Sequence, residues 1–128
     1  DRAHEKGYDK FTQIAANLAQ VAKMPKDMRE DLTIFFLTHS EDSVDGNGNR
    51  KVKAKTIGKM IDNTLTLEGL FSIVLFGRVN KTDDGLEYGF DTVNNGENTC
   101  KSPIDMFKEP FIDNDLQFVK DCITEYEQ

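Results

Sequence analysis

The run Leu32-Thr33-Ile34-Phe35-Phe36-Leu37 constrains the fold more than any other part of this chain. It is rich in β-branched and aromatic residues and almost continuous in apolar character, the composition of a strand covered on both faces. It ends in Thr38-His39-Ser40-Glu41, a polar cluster at the carboxyl end of the expected strand. In open α/β sheets that edge is where ligands usually bind.

The flanking pattern supplies the helices that such a strand requires. Tyr8, Phe11, Ala15, Leu18 and Ala22 recur at three- and four-residue spacing, which predicts an amphipathic helix over 8–24. Pro25 breaks it, and Pro25–Asp31 reads as a short helical turn leading into the strand. Asp42 to Lys55 reads as a long polar loop centred on Asp45-Gly46-Asn47-Gly48-Asn49, and a shorter helical segment is expected over Lys55–Asn63. Residues 71–79 and 86–93 predict two strands joined through Asn80–Gly85, an antiparallel hairpin. A further polar loop, Asn94–Thr99, leads to Lys101-Ser102-Pro103, and a closing helix is expected from about Asn114 with Leu116, Val119, Ile123 and Tyr126 on one face. There is no internal repeat and no interdomain linker, so the expectation is one α/β domain over 1–128.

With 38% hydrophobic and 30% charged residues the composition is that of a globular domain. The apolar runs are strand-sized rather than membrane-spanning, and the first six residues are charged rather than leader-like, so a cytoplasmic protein is expected. Asp1 in place of Met implies a processed start or a piece of something longer. Cys100 and Cys122 form no C-x-x-C unit and are expected as free thiols in a reducing compartment. A formal net charge of −7 disfavours broad, non-specific nucleic-acid binding but leaves room for a local basic patch.

That patch is Arg50, Lys51, Lys53 and Lys55, followed by Lys59. It reads equally as a phosphate-contacting segment and as a solvated charged loop. Asp45, Asn47 and Asn49 begin like a calcium loop, but an EF-hand needs Gly sixth and Glu twelfth, and those places hold Arg50 and Thr56, so a turn is expected. Gly58-Lys59 resembles the end of a phosphate-binding loop, yet Lys53 and Met60 stand where Gly and Ser or Thr are needed, so this is no Walker A motif. Of the two histidines, His39 beside Thr38 and Glu41 is placed for a polar sensor or general base, with a hydrogen-bonded loop histidine as the plainer reading.

Taken in order, several segments resemble one family. Asp1-Arg2-Ala3 with Glu5–Thr12, then Phe36–Glu41, Lys53–Asp62, Leu67–Phe71, Asn94-Asn95-Gly96 with Thr99, and Lys101-Ser102-Pro103 are similar to the part beyond the Walker B strand of phage-encoded RecA-like ATP-binding proteins. These are AAA-type ATPases associated with recombination and single-strand annealing, and the resemblance covers nearly the whole chain. It implies the second half of a RecA-like core, a largely parallel sheet between helices with a hairpin at one end. It further implies that Thr38 and His39 are nucleotide sensors near the γ-phosphate, that Lys101 reaches a nucleotide across a subunit interface, and that Asp42–Lys55 is the DNA-facing loop. ATP and Mg²⁺ belong to the parent family, whose Walker A and Walker B elements this chain lacks. The chain alone is therefore expected to hold no cofactor and to catalyse nothing.

Two functions follow as expectations. One is the C-terminal part of a phage RecA-like recombination or replication ATPase, with single-stranded DNA as the parent's partner. The other is a small acidic, phage-derived protein-binding module, for example an inhibitor of a host nucleic-acid-targeting defence. Either way, removing neighbouring strands would bare Leu32–Leu37, so self-association or a protein partner is expected.

Overall fold

A computed structural model describes residues 7–55 and 67–128, so all of the expected helix over Lys55–Asn63 except Lys55, and the cation Lys59, lie outside the described residues. The described elements mix two α-helices with antiparallel strands in two separate sheets. The contacts gather into two compact units, one within Asp1–Ser40 and Ala54–Phe71, the other Glu41–Lys53 with Ser72–Gln128.

In the first unit, α1 spans Gly7–Lys23 and passes into a 3-10 turn, Met24–Asp27, in which Pro25 occupies an early position. Proline fits there because the first helical turn has no use for its missing N–H. Ala22 is buried, while Val21, Met24 and Met28 are exposed. A second 3-10 turn, Leu67–Leu70, contacts α1, and the carboxylate of Glu68 accepts the backbone N–H of Ala54 at 2.7 Å.

The central expectation for this unit is corrected. Leu32–Leu37 forms no strand and joins no sheet. Ile34, Phe35 and Phe36 stand about two-fifths exposed, and Leu37 is 85% exposed. The Phe36 ring meets that of Phe71 at 5.1 Å between centroids. The physical reason is that strand propensity is realised only through pairing. No described segment supplies a ladder to this one, and its side chains forgo the ~1.5–3 kcal/mol each that full burial would contribute.

In the second unit, β1 (Ser40–Val44) and β2 (Arg50–Ala54) pair through a five-residue connection, with the end residues Ser40 and Ala54 assigned to the first unit. The segment expected as a loop over Asp42–Lys55 is thus largely a β-hairpin. Its strands are polar and lack alternation, so the hairpin is carried by its turn. Asp45 Oδ1 accepts the N–H groups of Asn47 and Asn49, each at 2.9 Å, and Gly48 takes φ of 83°, a region open to glycine.

The second sheet has the order β3-β4-β5, with β3 at Phe76–Thr82, β4 at Gly85–Asp91 and β5 at Phe111–Asp113. The expected hairpin is present, but its ladder runs past Asn80 to Thr82, pairing with Gly85, so the connection is only Asp83-Asp84. Residues 71–75, expected as the first half of that strand, instead give a single bridge between Val74 and Lys101. One sheet face carries Val79, Leu86 and Tyr88, which are exposed, and beyond them half-buried Phe90 and buried Ile112; the other carries Phe76, Arg78, Asp91 and Phe111.

The closing helix α2, Leu116–Tyr126, follows Asp115, whose side chain caps it by accepting from Gln117 and Phe118 N–H. Such a cap contributes about 1 kcal/mol. Val119 in this helix is 1% exposed, and Ile112, Met106 and Cys100 are the other buried apolar side chains of the sheet and its following loops. Polar side chains are buried there too: Thr92 and Asn98 are buried, and Thr92 Oγ1 donates to the Glu109 carbonyl at 2.8 Å while its own carbonyl accepts from Ser102 Oγ at 3.0 Å. Among the described residues no buried side-chain polar atom lacks a partner, and no helix is long and apolar enough to cross a membrane.

Candidate functional site

The basic segment gains its geometry from β2. Arg50 Nη2 lies 3.0 Å from Asp42 Oδ1, with Nε donating to the same oxygen at 3.2 Å. Its other terminal nitrogen lies 3.9 Å from Glu97 Oε2. Lys51 Nζ donates to the Gly96 carbonyl at 2.7 Å, and Val52 N–H donates to the Glu97 carbonyl at 2.6 Å. Lys53 is half-buried and engaged as well. Arg50, Lys51 and Lys53 are therefore held in contacts with the chain itself, and Arg50 is flanked by two carboxylates, while Lys55 is exposed.

The opposing surface, Asn94–Asn98, is an element whose role was not visible in sequence. Asn94 Oδ1 accepts Gly96 N–H at 2.7 Å, and Asn95 Oδ1 accepts the N–H groups of Glu97 at 2.9 Å and Asn98 at 3.1 Å. With the local N–H groups drawn onto asparagine side chains, the carbonyls of Gly96 and Glu97 are left to meet β2. The N-N-G triplet, with Gly96 at φ of 91°, is the signal that marks such a loop.

The tip of the hairpin uses its acid for shape. Besides the two backbone N–H groups, Asp45 accepts Asn49 Nδ2 at 3.3 Å. The backbone amide of Asn49 holds the Asp45 carboxyl below the ordinary aspartate value; burial opposes it, and the Asn47 amide, the Asn49 side chain and the charge of Lys51 add to the lowering.

The expected sensors fall in both units. Thr38 and His39 are exposed in the first, where Thr38 Oγ1 donates to the carbonyls of His39 and Lys55, each at 3.2 Å, and Lys55 N–H donates to the His39 carbonyl at 2.7 Å. Lys101, in the second, is exposed and bonds through its backbone to Val74 in both directions, at 2.9 and 3.0 Å. The open concavity along α1 is lined by Ala16, Ala19, Gln20, Val21, Lys23, Met24 and Asp27, and no histidine or cysteine is among them.

The strongest electrostatic cluster is elsewhere, on the inner face of β3-β4-β5. Arg78 reaches diagonally across the ladder to Asp91, with Nη2 at 2.8 Å from Oδ1 and Nε at 3.0 Å from Oδ2, and also donates to Asn80 Oδ1. Its guanidinium sits 4.5 Å over the Phe111 ring, and the Asp91 hydrogen bonds hold it above its ordinary value. Each of its three nitrogens donates to a partner within the chain, which makes this cluster a structural tie.

Both cysteines are free thiols, as expected. Burial, aided by the charge of Asp91, pushes Cys100 up to about 11. Cys122 is raised too, chiefly by burial, but is less enclosed. Thiolate is the reactive form. Alkylation at pH 8 is therefore expected to label Cys122 first, with Cys100 at least about ten-fold slower until the chain unfolds. Peptide mass mapping over time checks this; equal rates in the folded chain would show that Cys100 is open.

Comparison of the chain with described protein families, with curated proteins and with solved structures finds no match.

Proposed function

We propose that this chain is the C-terminal part of a phage RecA-like ATP-binding protein that acts in DNA recombination or replication, without catalysis of its own. The observation that supports it best is Leu32–Leu37. A six-residue run with the composition of a strand buried on two faces stands unpaired and exposed, as expected when the strands beside it belong to another part of the protein. Thr38 and His39 follow this run directly, where a strand's carboxyl end places polar groups toward a nucleotide. In this reading the missing half brings the phosphate-binding loop and the Mg²⁺-holding carboxylate, Thr38, His39 and Lys101 serve as sensors, and the β1–β2 hairpin faces single-stranded DNA.

A second reading, a stand-alone acidic module that binds a host protein, is favoured by one different observation: Arg50 and Lys51 are already engaged, in a chain of net charge −7. In both readings the apolar run is covered by protein, whether the rest of the sheet, a second copy or a partner.

ATP binding measured on this chain and on the longest polypeptide its reading frame encodes separates the two. The first reading expects no binding by the chain and binding by the longer product. A frame that opens close to Asp1, or a longer product that lacks ATP affinity, would sink it in favour of the second.

A further inference from the structure

The hairpin's cations meet carboxylates in a pattern that points to masking. We propose that Asp42 and Glu97 act as built-in counter-anions for Arg50, occupying the positions that nucleic-acid phosphates would otherwise take, so that the hairpin binds a phosphate backbone only when these carboxylates are displaced. The inference rests on the hairpin as the nucleic-acid-facing element of the proposed function.

Three features carry it. First, the contacts of Arg50 come from two directions: Asp42 from the neighbouring strand and Glu97 from the Asn94–Asn98 loop. Guanidinium is suited to planar anions of either kind, carboxylate or phosphate. Secondly, these pairs are open to water. The Arg50 side chain is 56% exposed, with Asp42 at 62% and Glu97 at 53%. Pairs this exposed hold weakly and exchange readily for another anion. Thirdly, the hairpin is held to the loop by contacts that leave the Glu97 carboxylate out: Val52 N–H to the Glu97 carbonyl and Lys51 to the Gly96 carbonyl. The carboxylates can be exchanged without undocking β2. A pairing needed for architecture buries at least one partner, as Arg78 with Asp91 does, Asp91 being 8% exposed against 38% for Arg78.

The masking also accounts for a lysine-rich segment on a chain of net charge −7 without requiring it to bind polyanions constitutively. Local repulsion by Asp42 and Glu97 weakens encounter at a distance, and their contacts with Arg50 weaken it at short range.

The test uses this chain and a fluorescent oligothymidylate, with binding followed by anisotropy across a salt series. Asp42→Asn with Glu97→Gln is expected to tighten binding on the order of ten-fold at low salt and to steepen its salt dependence, since more phosphates are then neutralised. Adding Arg50→Gln and Lys51→Gln is expected to abolish the gain. Asp42→Asn alone leaves the loop side untouched and is expected to give about three-fold, which keeps the test valid if the double variant misfolds. Unchanged affinity in well-folded variants, or a gain that survives loss of Arg50 and Lys51, overturns the proposal. The parent reading is judged separately by ATP binding to the longer polypeptide, so a failure of either leaves the other standing.

Discussion

Gly89→Ala is expected to detach β5 from the sheet and lower the unfolding free energy of the second unit by about 3 kcal/mol or more. Gly89 lies opposite Arg78 on one side and opposite Asp113 on the other. A methyl group at this position would stand 2.3 Å from Phe111 Cζ and 2.4 Å from the Ile112 carbonyl oxygen. The first contact is with a ring already held beneath the Arg78 guanidinium, and the second is with backbone, so neither neighbour can yield by a rotamer change. Glycine inside a strand commonly marks such a close approach. Urea unfolding with amide exchange checks the outcome: protection at Phe111–Asp113 should be lost first. Gly77→Ala is the control, because its methyl group would meet only Phe90 Cε1 at 3.9 Å. A Gly89→Ala chain as stable as that control would show that β5 is not seated as described.

What sequence could and could not reveal divides along the range of the interactions. The helix ending at Pro25 and the helix capped by Asp115 were legible because their determinants lie within a few residues. The β3–β4 hairpin was legible for the same reason, although its ladder runs further because Asp83-Asp84 and Gly85 suffice to turn the chain. Leu32–Leu37 reads as a strand in sequence because its composition reports what the segment would do beside other strands, and the described residues pair nothing with it. The polar β1–β2 hairpin reads as a loop in sequence because its strands lack alternation; the Asp45 turn is what forms it. The basic residues were legible as a cluster, but their state was not. Lys51 meets a carbonyl 45 residues along the chain, and Arg50 meets Glu97 on that same loop. No spacing rule reaches that far. Lys55 and Lys101 remain exposed.

Asp91→Ala is expected to be the most damaging single change among the charged residues of the second unit. The carboxylate is nearly closed from solvent, accepts Arg78 through both oxygens, and receives a longer contact of 3.5 Å from the buried Asn98. Removing it leaves a guanidinium over Phe111 without its counter-charge and a buried amide short of a partner. Breaking a fully buried pair from one side costs about 3–5 kcal/mol. Arg78 retains 38% exposure, so water reclaims part of that loss, and about 2 kcal/mol is the expected shift. The same reasoning gives the compensating experiment. Replacing both partners, Arg78→Met with Asp91→Leu, removes the orphaned charge and should recover more than half of the loss, because the penalty comes from the stranded guanidinium rather than from the missing attraction. Denaturant midpoints of the two variants, with Asp84→Ala in the exposed β3–β4 turn as reference, decide the matter. If Asp91→Ala unfolds with the reference, or if the double variant is worse than the single one, the Arg78–Asp91 tie is not what holds the inner face of this sheet together.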